Sequence, residues 1–94
     1  MIRVKSAREV ELMRRAGRIT AAARALAGKM VVPGVTTLEI DKAVNAFIKS
    51  QGAVPTFLNY GGFPKSVCIS INDEVIHGIP GKRVIRDGDV VSID

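Results

Sequence analysis

Tryptophan is absent from this chain, and cysteine and histidine occur once each, as Cys68 and His77. A lone cysteine excludes an internal disulfide framework and suits a reducing compartment. The aromatic side chains are only Phe47, Phe57, Tyr60 and Phe63, and no basic-aromatic nucleic-acid module is built from them. No apolar run is long enough to cross a bilayer, and no secretory h-region opens the chain. The arginine-rich start suggests an organelle transit peptide, but Glu9 and Glu11 argue against one, so the expected location is cytoplasmic. Internal repeats and low-complexity segments are also missing. With 94 residues, the chain makes one small unit with a thin core, burying roughly 60–65% of its unfolded surface.

What is abundant is positive charge. The formal net charge is +5, and Arg8, Arg14, Arg15, Arg18, Arg24 and Lys29 follow one another through the first third of the sequence. They read as the solvated face of a helix, with contact to RNA or an acidic partner surface as the functional alternative. Ser6 and Glu9 form a capping-box pair that starts this helix. Leu12, Ala16, Ile19, Ala23, Leu26 and Met30 recur at alternating steps of four and three, one apolar stripe, and Pro33-Gly34 ends the helix. Thr36 and Glu39 repeat the capping logic for a second helix, whose stripe is Ile40, Ala43, Val44, Phe47 and Ile48 and whose stop is Gly52.

Beyond the helices the pattern turns to strands. Residues 53–58 predict a short edge strand, since Pro55 denies the segment a central position. Ser66 to Ile71 alternates, with Val67, Ile69 and Ile71 on one face and Ser66, Cys68 and Ser70 on the other. Asn72-Asp73 predicts a turn, and Glu74-Val75-Ile76-His77 a returning strand stopped by Gly78 and Pro80. His77 would then stand at a strand end beside a glycine, where an imidazole can face a cleft. Gly81 to Arg86 predicts a polar connection with Val84 and Ile85 buried. Asp87-Gly88 then turns into a last strand, 90–94. Asp73 and Asp87 read as turn residues, Glu74 and Asp89 as polar groups at strand edges.

The run FPKSVCISINDEVIHGIP over 63–80, followed by GDVVSID over 88–94, resembles the front half of a type I methionine aminopeptidase. The resemblance covers essentially all 94 residues. It implies an α+β fold, the N-terminal half of the pita-bread architecture, with two helices packed on a curved antiparallel sheet. It implies a metal-dependent aminopeptidase that removes the initiator methionine of nascent polypeptides, with two divalent ions (Co, Mn, Fe or Zn) per complete site. Two aspartates, one histidine and two glutamates would hold them, and of these only Asp94 has a counterpart in this sequence. By the same resemblance, His77 is the non-ligand histidine that contacts substrate near the scissile bond. An imidazole there can donate a hydrogen bond or shuttle a proton near neutral pH. Tyr60, Phe63 and Cys68 match the wall of the methionine pocket, where a thioether packs well on rings and sulfur. Phe63 and Cys68 suit ordinary core packing equally well.

With four of five ligands expected beyond residue 94, these residues alone should be inactive. The open apolar edge at Val91 and Ile93 should favour self-association. A non-catalytic pita-bread relative that contacts RNA or a ribosome is the alternative; neither DNA nor a membrane is an expected partner. A cysteine nucleophile paired with His77 is a weaker reading, because nothing marks an oxyanion hole or a third orienting residue.

Overall fold

The computed structural model describes residues 1–94 as two helices followed by a two-stranded antiparallel sheet. Helix α1 spans Ala7–Met30 and α2 spans Thr37–Ser50. Both starts are capping boxes: the Ser6 and Thr36 hydroxyls accept from the Glu9 and Glu39 amides, and each glutamate accepts from its cap residue's own amide. Exchanging two orphan donors in this way fixes where each helix begins. Of the α1 stripe only Ala23 is fully buried, joined by Ala27 from outside the stripe, while Ile19, Leu26 and Met30 are half-buried. Leu12 is 49% exposed, so the first turns of α1 project past the core instead of packing on it.

The core joins Ala23 and Ala27 of α1, Ile40 and Val44 of α2, and Val67, Ile69, Ile71 and Ile85. Strand β1 is Ile69–Ile71 and β2 is Val91–Ile93, in the register Ile69↔Ile93, Ser70↔Ser92 and Ile71↔Val91. Val91 and Ile93 are half-buried against the core, so the edge strand shows solvent less apolar surface than alternation alone suggested. Both faces of the 66–71 segment are buried, serines included.

The expected hairpin does not form, because β1 pairs with β2 rather than with residues 74–77. Asn72 takes φ 54°, and the Glu74 amide donates to the Ile71 carbonyl to close a tight turn. The Glu74 carboxylate then accepts from the Ile71 amide, where a neighbouring strand's carbonyl would bind. His77, at φ 58°, cannot continue an extended strand. Val75 and Ile76 are left exposed.

Two smaller expectations also fail. Residues 53–58 form no strand: Pro55 is buried, has no N–H for a ladder, and packs its ring inward. Val84 is 43% exposed and makes an isolated bridge to Thr36, while its neighbour Ile85 is buried.

Candidate active site

The path of residues 72–90 decides the site. After leaving β1, the chain returns along the strand's second edge, where the Ile69 amide donates to the Gly78 carbonyl at 2.9 Å. The Gly78 amide donates to Ser70 Oγ at 3.0 Å. Gly78 lies so close that a Cβ built on it would sit 2.0 Å from the Ile69 carbonyl oxygen. Only glycine fits there. Just beyond, the Gly81 amide donates to Thr37 Oγ1 at 2.8 Å, and the Gly81 carbonyl accepts from the Leu38 amide. The His77–Gly81 segment is thus held between β1 and the start of α2.

His77 is exposed and takes part in neither ion pair of the chain, Glu11–Arg14 or Glu74–Arg83. Its ring lines a concavity of about 470 Å³ together with Tyr60, Phe63, Cys68, Phe57 and Ile79. Phe57 and Phe63 meet there with ring centroids 5.9 Å apart and planes tilted by 54°. Tyr60 is 73% exposed and Cys68 only 2%, so the concavity has an open lip and a closed floor. Burial pushes the Cys68 thiol up from its usual range, and the nearby Asp94 carboxylate adds to the shift. A thiol held neutral in this way is suited to packing rather than attack.

Asp94 lies outside that concavity but one strand away. Its amide and carbonyl exchange hydrogen bonds with Cys68, at 2.9 and 2.8 Å. Asp94 also borders a second, apolar hollow of about 370 Å³ lined mainly by α1, α2 and residues 53–57. No three of the chain's His, Cys, Asp and Glu side chains converge as ligands could. Asp94 is a hard oxygen donor suited to one corner of a divalent site. Glu74 and Asp89 are committed elsewhere. Asp89 accepts from the Arg86 amide and the Asn72 side chain, which together hold its carboxyl below the usual range.

Residues 11–94 match Metallopeptidase family M24. The chain belongs to that family. It is 50% identical over 94 residues to methionine aminopeptidase 1 of Bacillus subtilis, covering all of this chain and 38% of that protein. Against methionine aminopeptidase 2 of Mycobacterium tuberculosis, identity is 52% over 91 residues, or 97% of this chain and 32% of the relative. Among solved structures, the methionine aminopeptidase of Rickettsia prowazekii superposes with a TM-score of 0.95 at 41% identity, over 100% of this chain and 38% of that one. The Thermotoga maritima enzyme superposes at 0.93 with 40% identity, over 99% and 38%. The M24 chain therefore spans less than two-fifths of the length of these relatives. Its two helices and antiparallel strands are an α+β part of the pita-bread fold, as the resemblance implied.

Sequence reasoning missed Asp41 in this M24 chain. It is buried on α2, and its Oδ1 accepts from the Ser66 and Val67 amides at 2.8 and 3.0 Å. Asn45, one turn later, accepts from the Ser66 hydroxyl at 2.9 Å. An acid and an amide four residues apart, bordering the apolar stripe of α2, were the available signal. These contacts fix the entry to β1, and with it Cys68.

Proposed function

We propose that residues 1–94 form one unit, the N-terminal part of a methionine aminopeptidase catalytic domain that removes the initiator methionine from nascent polypeptides. The observation carrying this reading is the shared concavity of Tyr60, Phe63, Cys68 and His77, tied through Cys68 to the backbone of Asp94. The rings and sulfur form a soft, apolar wall for a methionine side chain. His77, exposed at the rim, donates a hydrogen bond to the substrate amide or moves a proton at its ring nitrogen. Asp94 contributes one carboxylate to a pair of divalent ions, and Co, Mn, Fe and Zn all accept such a donor. When bound, those ions would supply Lewis-acid activation of water and of the scissile carbonyl. The reading carries with it a cytoplasmic location.

A second reading rests on the basic side chains of α1, from Arg8 to Lys29, which are all exposed. They make a surface fit for RNA, the ribosome included, and the open edge of β2 one fit for a second copy. The catalytic reading is tested by replacing His77 with Ala in the complete enzyme at matched metal loading. Turnover should fall far more than stability, and equal turnover in mutant and parent removes the assignment. The 94 residues alone should release no methionine from a Met-Ala-Ser peptide with Co²⁺ or Mn²⁺, since one carboxylate does not hold two ions. Saturable release that co-purifies with the chain would overturn that expectation.

A further inference from the structure

We propose that Ser70 is a positioning residue for His77, acting through the Gly78 amide. The inference deepens the reading above and rests on it for its functional meaning. Ser70 is 4% exposed, and its hydroxyl accepts from the Gly78 N–H at 3.0 Å. It stands two residues from Cys68, and alternate residues of an extended segment share a face. The hydroxyl is therefore on the side of β1 that meets the concavity.

The peptide plane joining His77 to Gly78 carries that N–H, and its orientation is set by ψ of His77. On the other side of the same residue, the Gly78 carbonyl accepts from Ile69 at 2.9 Å. One hydrogen bond alone would leave Gly78 a hinge, whereas two, on successive peptide planes, fix the backbone that carries the imidazole. His77 needs this hold because it adopts φ 58°, a left-handed conformation unusual for a residue with a side chain. Its ring takes part in neither of the chain's ion pairs. The backbone sets the direction in which the His77 side chain leaves the chain, and Ser70 is the side chain that holds that backbone.

His77 is the only histidine, so its ring protons are unique reporters in an NMR spectrum of the 94-residue chain. Ser70→Ala removes the acceptor and Ser70→Thr retains it. In Ser70→Ala, exchange of the Gly78 amide should accelerate at least roughly tenfold, as for a lost hydrogen bond. The His77 ring signals should move, while the amides of Ile40 and Val44 in α2 keep their shifts. Ser70→Thr should restore both His77 and Gly78. Unmoved His77 signals in Ser70→Ala would overturn the proposal. So would failure of Thr to restore them, which would make fit rather than the hydroxyl decisive, or global unfolding of Ser70→Ala, which would make Ser70 a general structural group. If Ser70→Ala displaces the imidazole but His77→Ala leaves the complete enzyme's turnover intact, the positioning stands and the catalytic reading fails.

Discussion

Adding a single methyl group at Gly78 should do more damage than at any other glycine of the chain. The three atoms that an added Cβ meets are the Ile69 carbonyl oxygen at 2.0 Å, the Ile69 carbonyl carbon at 2.7 Å and Ser70 Cα at 2.9 Å. All three are backbone atoms of β1, so no side chain can swing aside. Real Cβ contacts essentially never fall under 3.0 Å, so strand and segment must part by about an ångström. That stretches the Ile69–Gly78 and Gly78–Ser70 hydrogen bonds, now 2.9 and 3.0 Å, past any useful length. Each leaves a buried polar group unpaired at about 1–3 kcal/mol, or about 2–6 kcal/mol together. Against a total of about 5–15 kcal/mol for a small domain, this is a large fraction. At about 4–8 °C per kcal/mol for a chain of this size, thermal unfolding should therefore drop by roughly 10–50 °C. Gly81→Ala is the control, because its nearest contact would be the Ile79 carbonyl at 4.0 Å. Unfolding of both variants by urea, followed by circular dichroism, measures the difference. Equal midpoints for Gly78→Ala and Gly81→Ala would refute the close-approach argument.

Asp41→Ala should cost about 2–5 kcal/mol in denaturant unfolding, because it leaves the buried Ser66 and Val67 amides without an acceptor. Asp41→Asn keeps an oxygen and should recover most of that, and an Asn variant as damaged as Ala would contradict the hydrogen-bond account. Asp89 has a folded-state carboxyl held below its ordinary value, so its contribution is present above about pH 4 and is lost as pH falls through the folded value. The Asn72 side-chain amide signals should shift only in that acidic window, and a change centred near neutrality would exclude Asp89 as the cause. Cys68 should react with a thiol reagent at least roughly a hundredfold more slowly in the native chain than in urea, given its burial and raised thiol. Free methionine should slow it further, and equal native and denatured rates would place Cys68 at the surface.

The helices were legible because their signals are local. Ser6 with Glu9, and Thr36 with Glu39, need only three residues of context to state where a helix starts. The sheet was misread because period-two alternation tells a strand's faces but not its partner. The stretch Glu74–His77 has the look of a returning strand, yet Glu74 folds back on Ile71 and His77 turns left-handed. The true partner, Val91–Ile93, arrives twenty residues after β1 ends at Ile71. Grouping Tyr60, Phe63, Cys68 and His77 was legible only through resemblance, because no spacing rule joins a loop, a strand and a turn. Asp41 and Ser70 escaped notice for a different reason. A buried polar side chain that serves a distant amide looks, in sequence, like any other polar residue near an apolar stripe.

Strand β1 has one further consequence, which concerns tolerance to insertion. Gly78 is hydrogen-bonded to Ile69 on one edge, and Asp94 to Cys68 on the other. The segments bearing His77 and Asp94 are therefore anchored at consecutive residues, whose Cα atoms are about 3.8 Å apart by covalent geometry alone. The separation of the two segments is thus set by the two ladder spacings across β1, about 9–10 Å, with a stagger of one residue, and not by the sixteen residues of chain between His77 and Asp94. Extra residues at the exposed Asp87-Gly88 turn could lengthen that connection as evolution or a designer wished. The ruler would read the same.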